Sequence, residues 1–160
     1  VTPQIASVSP PSGKVGTLVT INGVSLSQTT NVTIGGKAAA FKVVSDTQVT
    51  ATVPAGAKTD QKISITTAGG IGSSPASFIV VPTITSFTPT SGPVGTSVTI
   101  SGTTFTGATK VTFGGVAATS YQVVNDSTVD ALVPSGAVTG PIAVTTAAGT
   151  ATSATKFTVP

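Results

Sequence analysis

Short runs in which hydrophobic and polar residues alternate recur along the whole chain. In "LVTING", residues 18–23, the apolar Val19 and Ile21 are separated by Thr20. Alternation with a period of two predicts a β-strand with one buried face and one solvated face. The other runs of this kind contain Val32 and Ile34; Val49, Ala51 and Val53; Ile63 and Ile65; Phe78 and Val80; Val98 and Ile100; Val111 and Phe113; Val129, Ala131 and Val133; Ile142 and Val144; and Phe157 and Val159. The pattern predicts an all-β protein.

Turn-forming residues separate these runs. Gly35-Gly36 and Gly114-Gly115 each divide two runs, and paired glycines favour the type I′ turn of a β-hairpin. Asp46 and the pair Asn125-Asp126 lie where a side-chain oxygen could close a turn. About seven short strands with such turns in each half of the chain are typical of an immunoglobulin-like β-sandwich.

The two halves of the chain are copies of one unit. "TPTSGPVGTSVTISG", residues 88–102, repeats "SPPSGKVGTLVTING" of residues 9–23 at an offset of 79 positions, and "KVTFGG" repeats "NVTIGG". One extra residue near Tyr121 shifts the middle of the second copy, after which the offset returns. We therefore predict two tandem domains, residues 1–81 and 82–160.

The junction between the copies is short. "FIVVPTI" runs from the last strand of the first copy into the first strand of the second. Pro82 restricts the backbone of the residue before it, so we expect limited flexion between the domains. The second copy ends with "FTVP" where the first continues into a new unit, and we expect further copies in the parent protein.

The residue types present argue against catalysis. The chain has no Cys, His, Met, Trp, Arg or Glu, and only 7% of its residues are charged. Without His or Cys, neither a Ser-His-Asp nor a Cys-His site can be built. Asp46 or Asp126 could bind calcium together with backbone carbonyls, but an aspartate that closes a turn is the commoner use. We predict no enzyme activity, no cofactor and no metal site.

Charge and hydropathy exclude two further classes of partner. Residues 1–81 carry five lysines and two aspartates, whereas residues 82–160 carry two of each. Nucleic-acid-binding proteins usually show dense Lys/Arg patches, so we expect no nucleic-acid partner. No apolar run approaches the roughly 18 residues of a membrane span, so we expect no insertion into a membrane.

A glycine-rich segment with a lysine, "SGKVG" at residues 12–16, invites comparison with a phosphate-binding loop. That loop needs Lys beside its last glycine and then a hydroxyl residue, but Val15 follows Lys14, and the second copy has Pro93 in place of the lysine. We interpret the segment as a turn that uses glycines with positive φ before a strand.

Two aromatic residues are candidates for ligand contact. Phe41 and Tyr121 lie in the region after the glycine hairpin, where the two copies differ in length. Sugar-binding proteins commonly use aromatic rings as stacking platforms, so either residue could contact a glycan. The alternative is that Phe41 closes the sandwich and that Tyr121 packs at the domain junction or on the surface.

The motifs together resemble the IPT/TIG domain. They are "PxIxSxxPxSGxVGTxVTIxG", "VTxGG", "VxDxxVxAxVPxGA" and a closing "TTxxG…S…F", and they cover both copies. The resemblance implies two immunoglobulin-like sandwiches of the E-set type. The family occurs in plexins, Rel-type transcription factors, starch-acting enzymes and bacterial surface proteins, and this chain is closest to the tandem arrays of exported bacterial proteins.

That resemblance leads to one functional expectation and one alternative. We expect a non-catalytic spacer, a tandem stalk within a larger extracellular or cell-surface bacterial protein, whose partners are the neighbouring domains of the parent chain. The alternative is an adhesion or carbohydrate-binding accessory module whose partner is a polysaccharide or a surface protein. Binding through an exposed sheet edge would be one route for such a module.

Overall fold

The computed structural model describes all 160 residues, and its only regular elements are β-strands. The chain divides into two compact units, Val1–Val80 and Val81–Pro160. No helix is long and apolar enough to cross a membrane. Each unit consists of two packed sheets, so the predicted all-β, immunoglobulin-like architecture is confirmed.

The first unit contains one four-stranded sheet and one five-stranded sheet. Their strand orders are β1-β3-β7-β6 and β2-β9-β8-β4-β5. The strands are β1 (Gln4–Ser9), β2 (Ser12–Gly13), β3 (Leu18–Val24), β4 (Asn31–Ile34), β5 (Lys37–Ala38), β6 (Phe41–Ser45), β7 (Gln48–Thr52), β8 (Gln61–Thr67) and β9 (Gly70–Val80). Apart from the parallel pair β2 and β9, all neighbouring strands are antiparallel.

The second unit repeats this arrangement with two four-stranded sheets. Their orders are β10-β11-β15-β14 and β13-β12-β16-β17. The strands are β10 (Thr83–Thr88), β11 (Ser97–Thr103), β12 (Lys110–Phe113), β13 (Val116–Ala117), β14 (Tyr121–Asn125), β15 (Thr128–Leu132), β16 (Gly140–Thr146) and β17 (Gly149–Phe157). A single parallel bridge from Ser91 to Thr158 takes the place of the β2–β9 pair. Leaving aside the two-residue strands, each unit has the seven strands that the pattern predicts.

The alternating apolar positions form the cores. Val19 and Ile21 in β3, and Val98 and Ile100 in β11, are fully buried. The second core also contains an aromatic cluster, in which the Phe157 ring centroid lies 6.2 Å from that of Phe87 and 5.4 Å from that of Phe113. The first unit has Val8 and Ile34 at the two positions that match Phe87 and Phe113.

A cleft lies beside Val8 in the first unit. Its volume is about 60 Å³, and its lining includes Pro11, Ile63 and Phe78. Val8 is half-buried, whereas Phe87 at the matching position is 5% exposed. The cleft therefore lies where the second unit has a phenylalanine ring.

The predicted glycine hairpin is present. Ile34 pairs with Lys37 across Gly35-Gly36, and the two glycines have φ of 60° and 77°. Positive φ at both central residues defines a type I′ turn and favours glycine. Gly114-Gly115, with φ of 56° and 88°, forms the same turn between β12 and β13.

The segment "SGKVG" is a turn, but the glycine with positive φ is not the one beside the lysine. Thr17 N donates to Lys14 O at 3.1 Å, and Gly16 has φ of 93°. Gly13 is instead required by space, because a Cβ there would lie 2.7 Å from Thr17 Oγ1. The segment thus makes the turn that leads into β3.

The predicted side-chain turns need a correction. In the second unit Asn125 Oδ1 accepts from Ser127 N at 2.9 Å and closes the turn between β14 and β15. Asp126 Oδ1 accepts from Thr106 N at 3.3 Å, about 20 residues away in the chain. The aspartate therefore joins two loops, because its carboxylate faces the neighbouring loop and not its own turn.

A buried serine completes the hydrogen bonding at a β-bulge in each unit. The register between β8 and β9 shifts between Lys62 and Ser64, which leaves the N–H of Ile63 without a ladder partner. Ser74 Oγ accepts from Ile63 N at 2.9 Å and donates to Ala76 O at 2.7 Å. Ser153 makes the same two bonds in the second unit, to Ile142 N and Thr155 O.

Candidate ligand-binding surfaces

Phe41 and Tyr121, the two aromatic candidates, occupy the same position in the two units. Phe41 begins β6 and pairs with Ala51, and Tyr121 begins β14 and pairs with Ala131. Each strand lies at the end of its sheet. Each unit therefore carries one aromatic residue at the start of an edge strand.

Tyr121 contributes to the packing and hydrogen bonding of the second unit. Its ring packs against the core of the second unit and is half-buried, and its hydroxyl donates to Ala108 O at 3.4 Å. Phe41 has no hydroxyl to anchor it and is 36% exposed. Phe41 thus lies at the rim of the first sandwich, on the core-facing side of β6 but with more than a third of its surface exposed.

A shallow groove runs beside Tyr121. Its volume is about 230 Å³, and it is lined by Ser97, Ser120, Tyr121, Gln122, Asp130, Ala131 and Leu132. Asp130 accepts a hydrogen bond from the Thr99 hydroxyl at 2.9 Å. The lining residues include Tyr121 together with hydroxyl, amide and carboxylate groups, and such groups can hydrogen-bond a polyhydroxylated ligand.

A larger polar groove lies at one end of the first unit. Its volume is about 430 Å³, and it is lined by Val1, Ser25, Ser27, Gln28, Asp46, Thr67, Ala68 and Gly69. The sequence pattern does not indicate it, because its residues come from the N-terminus and three separate loops. Only the Thr/Ser content of those loops hinted at a polar surface.

Asp46 is the one carboxylate in that groove, and it is held by the neighbouring loop. The hydrogen bonds that Ser27 donates from its side chain and its backbone lower the pKa of Asp46, and the backbone of Ser25 contributes in the same direction. The backbone N–H of Ser27 lies 3.2 Å from Asp46 Oδ1. The backbone carbonyl of Asp46 also accepts from Leu26 N at 2.8 Å.

These hydrogen bonds hold the loop that carries a buried apolar residue, Leu26. Leu26, between the two serines, is fully buried, and Phe105 with Asp126 repeats the arrangement in the second unit. The repetition indicates that each aspartate fastens a loop to the core. No group of three or more His, Cys, Asp or Glu side chains lies together anywhere in the structure.

Comparison with known families agrees with this architecture. The IPT/TIG domain model matches residues 3–80 and, a second time, residues 82–159. The chain therefore belongs to the IPT/TIG domain family, as the motifs indicated, and contains two tandem copies of the domain. A comparison with curated proteins finds no significant match.

Solved structures with a similar fold include bacterial glycan-binding proteins. The surface glycan-binding protein PbSGBP-B from Prevotella bryantii matches with a TM-score of 0.60 and 15% identity, over 98% of this chain and 42% of that protein. A crystal structure with xylogluco-oligosaccharide matches with a TM-score of 0.50 and 20% identity, over 99% of this chain and 41% of that one. The chain thus spans about two fifths of each of these proteins.

Proposed function

We propose that the chain is a non-catalytic spacer, a tandem immunoglobulin-like stalk within a larger exported protein of a bacterial cell surface. The observation that carries the proposal is the direct succession of two complete sandwiches. β9 ends at Val80 and β10 begins at Thr83, so only Val81 and Pro82 separate the last strand of one core from the first strand of the next. A linker of this length that contains proline restricts motion between domains.

Each unit has what a spacer module needs. Its core is closed by its own strands, and its buried residues form one cluster per unit. The surface charge is low, with seven lysines and four aspartates in the whole chain. The similar fold in a surface glycan-binding protein supports a place on the cell surface.

The spacer proposal is tested by measuring whether the two units tumble together. In the native chain we expect residual dipolar couplings from both units to fit one alignment tensor, because Pro82 limits the linker. A variant with six Gly/Ser residues inserted after Val81 should need two tensors. Separate tensors for the native chain would contradict the spacer proposal.

A second candidate function is the binding of a polysaccharide through the groove beside Tyr121. The observation in its favour is a groove whose lining residues include Tyr121 together with an amide and a carboxylate residue, Gln122 and Asp130. Two proteins of similar fold are described as a surface glycan-binding protein and as a structure with xylogluco-oligosaccharide. In this function the chain would contribute an accessory contact to a larger binding protein.

This candidate is tested by retention on a panel of insoluble polysaccharides and by affinity electrophoresis in xyloglucan. We expect the native chain to be retained, Tyr121→Ala to lose retention, and Tyr121→Phe to keep it because the ring remains. Phe41→Ala is the matched variant in the first unit and should behave like the native chain. Absence of retention on every matrix, or equal retention of Tyr121→Ala, would contradict a glycan site at this position.

A further inference from the structure

The edge strands β6 and β14 present unpaired backbone groups to solvent. β6 lies at the end of the order β1-β3-β7-β6, and β14 ends the matching sheet of the second unit. Such edges are templates for pairing with another strand. β14, with the sequence "YQVVN", carries no charge, proline or glycine that would discourage pairing, and β6 carries one lysine.

The existing hydrogen bonds define which residues of β6 face outward. Thr52 N donates to Ala40 O at 2.9 Å, and hydrogen-bonded pairs alternate along an antiparallel ladder. Lys42 opposite Thr50 is therefore the next bonded pair. Phe41 and Val43, the residues on either side of Lys42, direct their N–H and C=O groups away from β7.

The same argument applies to β14. Leu132 N donates to Ser120 O at 3.0 Å, so Gln122 opposite Asp130 is the next bonded pair. Tyr121 and Val123 direct their backbone groups outward. Each edge thus offers two residues with free backbone groups, separated by one residue whose backbone is already paired.

We propose that β6 of one copy of this chain pairs antiparallel with β14 of a second copy. The free backbone groups meet when Val43 lies opposite Tyr121 and Phe41 lies opposite Val123. In that register Lys42 lies opposite Gln122, between the two bonded pairs. The two four-stranded sheets then become one continuous intermolecular sheet.

The side chains match on the core-facing side of this sheet. Phe41 and Val43 lie opposite Ala51 and Val49, both of them buried, so they belong to the face that covers the core. Tyr121 and Val123 do the same in the second unit. The register therefore forms two aromatic/β-branched cross-strand pairs, a combination that stabilises antiparallel sheets.

Charge selects this pairing over pairing of β6 with β6. On the outward face the row becomes Asp130, Gln122 and Lys42, because residues opposite each other in a ladder share a face. Lys42 stands at the position of Gln122 in the other unit, and Asp130 stands at the position of Thr50. One edge strand therefore carries a positive charge, and the strand next to the other edge carries a negative one. Pairing of β6 with β6 would place two copies of Lys42 opposite each other, which is destabilising.

This interface is heterologous, since it joins two different edges. Every chain has one β6 and one β14, so each association leaves one free edge of each kind at the ends. Head-to-tail contacts of this kind close into rings or extend into open chains. Copies of the chain on one surface would thereby be linked side by side through their sheets.

Charge exchange in the full chain tests the proposal by sedimentation velocity over a concentration series at low salt. We expect the native sedimentation coefficient to rise with concentration. Lys42→Asp or Asp130→Lys alone should raise the dissociation constant by up to roughly fivefold, because each puts two like charges on the same face of the joined sheet. The double variant should return to within about twofold of the native value, because the exchanged charges attract again. Lys14→Asp makes the same change in net charge away from both edges and should leave association unchanged.

Two results would overturn the proposal. One is a native chain that stays monomeric at millimolar concentration. The other is association that survives Lys42→Asp unchanged but is abolished by Gln122→Lys, since that result would mean that β14 pairs with β14. Thermal melts of each variant establish that an altered dissociation constant does not arise from unfolding.

Discussion

At the scale of single residues, Ser74 and Ser153 show how a polar side chain can be essential in an apolar core. Each is nearly inaccessible, at 2% and 8% exposure, and each accepts from one backbone N–H and donates to one backbone carbonyl. The bulge that separates these backbone groups from the ladder is thereby satisfied without water. Removing the hydroxyl leaves the buried backbone N–H of Ile63 or Ile142 without a partner.

We therefore expect Ser74→Ala to lower the free energy of unfolding by about 1–3 kcal/mol, the cost of an unsatisfied buried hydrogen-bonding group. The control is Ser73→Ala at the exposed neighbouring position, which should change stability by no more than about 0.5 kcal/mol. Urea denaturation of both variants measures the difference. Equal stability of the two variants would mean that the bulge does not depend on the hydroxyl.

The residues of the core could be predicted from the sequence, whereas the roles of the polar residues could not. Val19 and Ile21 follow a period of two that is visible in a single segment. The partners of Asp46 and Ser74 depend on which loop or bulge the fold brings alongside, and no local pattern carries that information. The local pattern therefore assigns Asp46 to its own turn, although the loop at Ser27 is its partner.

At the scale of elements, local rules predicted the hairpins and missed the long-range pairs. Gly35-Gly36 needs positive φ at two successive residues, which is a property of the residues themselves. The short strand Ser12–Gly13 exists only because it pairs in parallel with Ile79 and Val80. Such a pair joins segments far apart in the chain. The sequence therefore predicts the turn that follows Gly13 but not the strand Ser12–Gly13 itself.

The candidate site shows the same limit. The sequence singles out Phe41 and Tyr121 as the aromatic residues of the region in which the two copies differ in length. Their position at the edge of a sheet follows from the strand orders β1-β3-β7-β6 and β10-β11-β15-β14. Hydrophobic alternation along the chain does not predict strand order. The grooves, the free backbone groups and the charged row at these edges all depend on that order.

At the scale of the whole molecule, the two units share a fold but differ in how well their cores are filled. The second unit buries Phe87, Phe105, Phe113 and Phe157. The first unit fills the matching positions with Val8, Leu26, Ile34 and Phe78 and retains the cleft of about 60 Å³ beside Val8. Larger buried apolar side chains contribute more to stability. Residues that line a cavity lack the contacts that a side chain filling it would make.

We therefore expect the chain to unfold in two steps on heating, with the first unit unfolding at the lower temperature. Val8→Phe places a ring in the cleft, as Phe87 does in the second unit, and should raise only the lower midpoint. A gain of about 1 kcal/mol, typical of cavity filling, corresponds to roughly 4–8 °C for a domain of this size. Scanning calorimetry measures both midpoints, and hydrogen exchange assigns each transition to its unit.

The matched variant Phe87→Val should lower only the upper midpoint, because it opens the equivalent cleft in the second core. If Val8→Phe lowered the first midpoint, the cleft would be too rigid to accept a ring, since overpacking strains the neighbouring side chains.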